Sequence, residues 1–253
     1  MAKVLYYDIE TAPNLSFVWG HYEQNVIEHE REWYILCFSY RWEGEKTSSV
    51  CALPDFPSAY NKDPENDYHV VKKMWELLDA ADVVIAHNGD RFDIRKANAR
   101  FVYHGLGPVS PFKTVDTLKV AKKYFMFNSN RLNDLGKHLG VGVKEDTGGF
   151  KTWAGCMRGD KKAWATMKKY AKKDVDLLRD IYFKLRPWIA NHPNLNMYED
   201  TDSCPTCSSI NLQRRGYRYT QVSAYQQWVC NDCGSWSRTR LPDPAVKKSD
   251  IVP

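Results

Sequence analysis

Apolar positions along this chain fall either in short continuous runs or at alternating intervals of three and four, the patterns of buried strands and of amphipathic helices. Residues 3–9 (Lys-Val-Leu-Tyr-Tyr-Asp-Ile) form an apolar run that ends in acids, and 34–42 and 47–53 predict two further strands around a turn at Gly44. Three adjacent strands therefore open the fold. Residues 68–80 carry Val70, Val71, Met74, Trp75, Leu77 and Leu78 at helical spacing, 83–86 predicts a short buried strand, and a helix follows from Asp93 to about His104. Beyond the Gly/Pro-rich break at 105–111, the pattern predicts a strand at Thr114-Val115 and helices over 117–125 and 130–139. Glycines 140, 142, 148 and 149 mark loops, and the helix from about Lys161 to Leu185, ended by Pro187, is the most regular element. Strands alternating with helices predict an α/β fold.

That last helix contains an anomaly. Its apolar stripe steps through Trp164, Met167, Ala171, Leu178, Ile181 and Leu185, and the missing member of the series, position 174, is an aspartate. A carboxylate on a buried stripe costs several kcal/mol unless a cation or metal compensates it. Tyr170, four residues earlier, projects on the same side. The lysines at 161, 162, 168, 169, 172 and 173 lie mostly on the other faces, as a solvated surface or as a rim that tracks phosphates. Asp8 and Glu10 are a second anomaly: two apart at the end of an apolar strand, they project from one face and repel unless a divalent cation sits between them. A pair of exposed acids at a strand end is the alternative.

The third segment, His87-Asn88-Gly89-Asp90-Arg91-Phe92-Asp93, lies just past the strand at 83–86 and opens a helix, where Asp90 or Asp93 could simply cap it. Together, Asp8-Ile9-Glu10, Asn88 through Phe92-Asp93, and Tyr170-x-x-x-Asp174 resemble the three motifs of the DEDD superfamily of 3′→5′ exonucleases. The resemblance covers about residues 3–186. Tyr170 stands where the tyrosine branch has its tyrosine, and Lys169 stands where the histidine branch has histidine; proofreading domains of family-B DNA polymerases belong to the tyrosine branch. The resemblance implies a ribonuclease-H-like mixed sheet flanked by helices. It also implies two Mg²⁺ or Mn²⁺ ions held by Asp8, Glu10, Asp93 and Asp174, with Tyr170 orienting the attacking water. Asn88 and Phe92 are then candidates for contact with the terminal nucleotide. An endonuclease using the same carboxylates and a catalytically silent nucleic-acid-binding protein are the competing classes. Asp116, His87, His104 and His138 read as structural residues.

Composition adds a second unit. Four of the seven cysteines form Cys204-Pro-Thr-Cys207 and Cys230-Asn-Asp-Cys233, the layout that closes a four-thiolate Zn²⁺ site; Cys37 and Cys51 read as small core residues. Alternating Tyr217, Tyr219, Val222, Tyr225, Trp228 and Val229 predict the strands of a zinc ribbon, and the knuckles resemble ribbons with Cys-Pro-x-Cys and Cys-x-x-Cys-Gly. A core this small relies on the metal for its folding energy. Charge agrees with a polyanionic partner: residues 1–203 hold 29 Lys+Arg against 28 Asp+Glu, whereas 204–241 hold 5 against 1. Arg214, Arg215, Arg218 and Arg238, interleaved with aromatic residues, are the nucleic-acid-binding candidates there, and a protein-docking role for the ribbon is the alternative.

The expected organisation is an exonuclease domain over 1–186, a linker over 187–203, a zinc ribbon over 204–241 and a disordered tail over 242–253. Single-stranded 3′ ends, DNA ahead of RNA, are the expected partner, with no membrane. The N-terminus enters a strand pattern without a basic, apolar leader, which suggests the cytoplasm. The compact layout fits a bacteriophage or mobile-element protein in its host.

Overall fold

The computed structural model describes residues 2–22, 25–198 and 202–246. Strands β1 (Val4–Thr11), β2 (Leu15–Phe17), β3 (Glu28–Arg31), β4 (Ile35–Trp42) and β5 (Ser49–Ala52) come first, followed by helices α1 (Pro57–Lys62) and α2 (Tyr68–Asp79). Strand β6 (Val83–Ala86), helix α3 (Asp93–Tyr103), strand β7 (Lys113–Asp116) and helices α4 (Thr117–Tyr124), α5 (Leu132–His138), α6 (Phe150–Met157) and α7 (Lys161–Leu185) follow. Strands β8 (Leu212–Tyr219), β9 (Ala224–Cys230) and β10 (Trp236–Arg238) form a separate small sheet.

The main sheet has the order β5-β4-β1-β6-β7, antiparallel on the β5-β4-β1 side and parallel on the β1-β6-β7 side. The connections dictate this mixture. A short turn around Gly44 returns β4 into β5 antiparallel, whereas the β6 to β7 crossover passes through α3 and delivers a parallel partner. Helices cover both faces, so β1 and β6 read as continuous apolar runs rather than alternating ones. Leu5, Tyr7, Ile9, Val84 and Ala86 enter one core with α2 and α3, and Val4, Tyr6, Val83 and Ile85 enter the other with α4 and α5.

Helix α7 belongs to both cores. Trp164, Met167 and Ala171 pack in the first, and Val175, Leu178, Ile181 and Leu185 pack in the second. Asp174 sits at the crossing point. Each fully buried aliphatic side chain contributes roughly 1.5–3 kcal/mol relative to exposure, so this stripe can hold one carboxylate whose burial costs several.

Three elements have no counterpart in the sequence pattern: the β2–β3 hairpin, α1 and α6. The hairpin buries almost nothing, so it leaves no alternation to read. In α6 a glycine interrupts the helical pattern, yet a Cβ added at Gly155 would meet the Ala163 Cβ at 2.5 Å. The residue that weakens the helix signal is the one that lets α6 close on α7.

The stretch after α7 packs instead of spanning open space. It forms 3₁₀ turns at Arg186–Trp188 and Leu195–Tyr198, buries Ile189 and Leu195 in the second core, and donates the Leu195 amide to the Pro205 carbonyl at 2.8 Å. Residues 199–201 of its acidic run lie outside the described residues, as do 247–253 of the expected tail. Asp243, at the start of that tail, donates its amide to the Ala224 carbonyl at 2.9 Å. Among the described residues no helix is long and apolar enough to cross a membrane.

Candidate active site

Strand β1 continues past the second core. Val4 and Tyr6 fill that core, and the next two residues in the same row, Asp8 and Glu10, extend beyond it, half-buried. Asp174 of α7 closes the space opposite them and is 1% exposed. One carboxylate oxygen from each of Asp8, Glu10 and Asp174 lies within 4.8 Å of the others. Two acids of β1 and one from α7, more than 160 residues further along the chain, thus converge on one point.

Asp93 stands beside this group. It is 2% exposed at the first turn of α3, and its Oδ1 accepts the Ile9 amide of β1 at 3.1 Å. Its carboxylate therefore ties α3 to β1, and the N-cap position of the helix, Phe92, makes no side-chain cap bond. The loop before it depends on close backbone approach: a Cβ at Gly89 would meet the Ala86 Cβ at 2.3 Å. Asn88 adopts a left-handed φ of 67° and donates its amide to Asp116 Oδ1 at 2.9 Å. Asp116 also caps α4 by accepting the Leu118 and Lys119 amides, which is the structural role expected of it. Asp90 caps nothing and pairs with Lys119 at 2.6 Å.

Tyr170 and Asp174, one helical turn apart, share a partner that the sequence pattern does not reveal. The Lys144 ammonium donates to the Tyr170 hydroxyl at 2.9 Å and to Asp174 Oδ2 at 2.5 Å. Its loop is fixed by the Lys144 amide on Asn133 Oδ1 at 3.0 Å and by Val141 N on the Gly136 carbonyl at 3.0 Å. Trp153 of α6 meets the Tyr170 ring edge-on at 5.9 Å. A lysine in a glycine-rich loop breaks no sequence rule, so only the packing shows it. Of the two candidate nucleotide contacts, Phe92 is 39% exposed. Asn88 lines an open cavity of about 750 Å³ with His87, Lys122, Asn130, Arg131 and Lys144.

Burial and mutual repulsion make this group costly to ionise. Burial, then Asp93, Glu10 and Asp174, hold the Asp8 carboxyl well above its usual range. Burial, then Asp174, pushes Glu10 up to about 8. Burial pushes Asp93 up to about 7 against the pull of the Ile9 amide, and burial raises Asp174 while Lys144 draws it back. Asp174 Oδ1 is buried without a hydrogen-bond partner. A hard divalent cation would relieve the repulsion and satisfy that oxygen, and an all-oxygen donor set suits Mg²⁺ or Mn²⁺. The residues present fit the metal.

The family model of the RNase H superfamily matches residues 5–186, which is most of the chain and nearly all of the two-core unit. The chain belongs to the RNase H superfamily. Among solved structures, this RNase H superfamily member is similar to the family B DNA polymerase of the hyperthermophilic archaeon Pyrobaculum calidifontis, at 14% identity and a TM-score of 0.55. The match covers 74% of this chain and 25% of the polymerase chain, so the likeness is one of fold over about a quarter of that protein. No match was found among curated proteins.

Beyond the RNase H unit, the four cysteines form a second cluster. All four Sγ atoms lie within 4.8 Å of one another, with Cys204 to Cys233 at 3.6 Å and Cys207 to Cys230 at 3.7 Å. A tetrahedral zinc site with Zn–S bonds of about 2.3 Å has edges of about 3.8 Å, so the thiols stand at the right spacing for that ion. The two knuckles repeat each other. The Ser208 and Gly234 amides donate to the Cys204 and Cys230 carbonyls, and both residues have positive φ. The four candidate arginines of this unit do not gather. Arg218 and Arg238 flank Tyr225, whereas Arg214 bonds Gln226 and Tyr217 on the other side of the sheet.

Proposed function

We propose that this protein is a metal-dependent 3′→5′ exonuclease of the tyrosine branch of the DEDD group. It releases 5′-mononucleotides from single-stranded 3′ ends, DNA ahead of RNA. The observation that carries the reading is the convergence of Asp8, Glu10 and Asp174 beside Asp93 and the Tyr170 hydroxyl, each from the motif that the group's pattern requires. The likeness to a family B DNA polymerase supports DNA as the substrate.

Asp8, Glu10, Asp93 and Asp174 would hold two Mg²⁺ or Mn²⁺ ions, which supply Lewis acidity for water activation and for the departing 3′ oxygen. Burial and the surrounding carboxylates push the Tyr170 phenol far above its ordinary value, so it keeps its proton at neutral pH. Tyr170 therefore orients a water or a phosphate oxygen by donating a hydrogen bond and does not act as a base. Lys144, bonded to both Tyr170 and Asp174, fixes the hydroxyl's direction and offers positive charge near the scissile phosphate. Asn88 and Phe92 flank the same site and contact the terminal nucleotide. The four-cysteine module binds one structural Zn²⁺ and helps to hold the substrate.

Liberated nucleotides, separated by chromatography after digestion of a single-stranded oligonucleotide, test the reading. Asp8→Ala and chelation of the divalent ions should each abolish 5′-mononucleotide release, and Tyr170→Phe should be milder than Asp8→Ala. Normal digestion by Asp8→Ala would remove the assignment.

A further inference from the structure

The small sheet presents two faces with different chemistry. Directly opposed residues of an antiparallel pair share a face, as do alternate residues along a strand. Arg218 stands opposite Tyr225, and across the other ladder Trp236 stands opposite Val229 and Arg238 opposite Gln227. One face therefore carries Arg218, Tyr225, Gln227, Val229, Trp236 and Arg238. The opposite face carries Arg214, Tyr217, the exposed Tyr219, Trp228 and the buried Ala224, Gln226 and Cys230.

The two faces differ in how their charge is compensated. On the first, the Arg238 guanidinium lies 4.0 Å from the Tyr225 ring centroid, Arg218 stands across the strand from it, and Trp236 is 55% exposed. Among the described residues no acid belongs to it. Asp232, the one carboxylate between residues 204 and 241, is held at a knuckle by Ser209 and Asn211. On the second face Arg214 is compensated, through its bonds to Gln226 and Tyr217 and by Asp243 at 3.9 Å.

We infer that the first face is a platform for single-stranded nucleic acid, on which Trp236 stacks a base while Arg218, and Arg238 braced over the Tyr225 ring, take two phosphates. Uncompensated positive charge beside the exposed Trp236 ring selects a polyanion whose units also carry flat apolar surfaces. In a duplex those surfaces are already stacked on one another, so the face favours a single strand. The recognition is indifferent to sequence, because every base has a stackable face. The inference rests on the nuclease reading for its purpose, since the platform would keep the same strand near the catalytic carboxylates and raise the local concentration of its end.

The test uses the full chain with its zinc content measured, and fluorescence anisotropy with a labelled, covalently closed circle of single-stranded DNA without added Mg²⁺ or Mn²⁺. The circle has no 3′ end, so its binding reports the platform and not exonuclease action. Trp236→Ala should weaken binding roughly 5- to 100-fold, and Trp236→Phe should retain most of it. The Arg218→Ala, Arg238→Ala double variant should flatten the slope of log affinity against log salt by about 1.4, the counterion release of two single-strand phosphates. Arg214→Ala should leave both unchanged. Wild-type affinity in the zinc-loaded Trp236→Ala and double-arginine proteins would overturn the inference and reassign the face to a protein partner. Equal weakening by Arg214→Ala, or tighter binding of a duplex, would overturn it too. Circle binding lost in these variants, while wild-type protein fails to digest linear DNA with Mg²⁺, would sink the nuclease reading and leave the platform standing.

Discussion

Lys144 is the cation that faces Asp174, through contacts to Asp174 and Tyr170. Removing one partner of a buried pair leaves an uncompensated charge. Because the Lys144 side chain is about 30% exposed, solvent screening reduces that penalty. Lys144→Met should therefore destabilise the metal-free protein by about 1–3 kcal/mol, and Mn²⁺ should raise the melting temperature of the variant more than that of the wild type. Equal Mn²⁺ shifts in thermal unfolding would contradict this. Asp8, Glu10 and Asp174 are legible in the sequence because an acid in an apolar row violates a pattern, whereas Lys144 and the Asp93 bond to Ile9 violate none. They depend on how a loop and a strand approach in space, which no local periodicity encodes.

At the scale of elements, the strands and helices that bury a continuous face were legible, and those defined by close contact were not. Helix α6 needs Gly155 to approach Ala163, and the loop into α3 needs Gly89 against Ala86. Gly89→Ala should cost about 1–3 kcal/mol by overpacking and displace the turn that carries Asp93. The measurement is denaturant unfolding beside kcat, and unchanged stability would show that the loop has room. The segment after α7 makes a pH-dependent contribution. His192 Nε2 accepts from the Tyr182 hydroxyl at 2.7 Å and its Nδ1 donates to the Pro193 carbonyl at 2.8 Å, an arrangement of the neutral ring. Burial holds its pKa below the usual value, while the unfolded chain titrates near 6.5. Between those two values the unfolded state binds the extra proton, so this contribution is complete above about pH 6.5 and lost as pH falls through the folded pKa. His192→Gln should flatten the acid limb of a plot of stability against pH; an identical limb would place the effect elsewhere.

The whole molecule joins an RNase H unit held by two apolar cores to a module whose own core is little more than four cysteines and Leu212. Their stabilities should separate accordingly. Cys207→Ser should lower zinc content by one ion per chain and unfold the β8–β10 sheet, while leaving the main unfolding transition of residues 2–198 in place. Calorimetry with metal analysis checks this, and a single transition lost as a unit would mean that the two parts fold together. Truncation after residue 198 keeps Ile189 and Leu195 in the second core and is the cut that should preserve the nuclease unit.

The central claim concerns the direction and chemistry of cleavage. Linear single-stranded DNA and RNA labelled at the 5′ end are incubated with Mg²⁺ or Mn²⁺ beside a closed single-stranded circle, with Asp174→Ala as the control. The account predicts a ladder that shortens from the 3′ end, faster on DNA, with the circle intact and no products from the variant. A cut circle, shortening from the 5′ end, or undiminished cleavage by Asp174→Ala would contradict it.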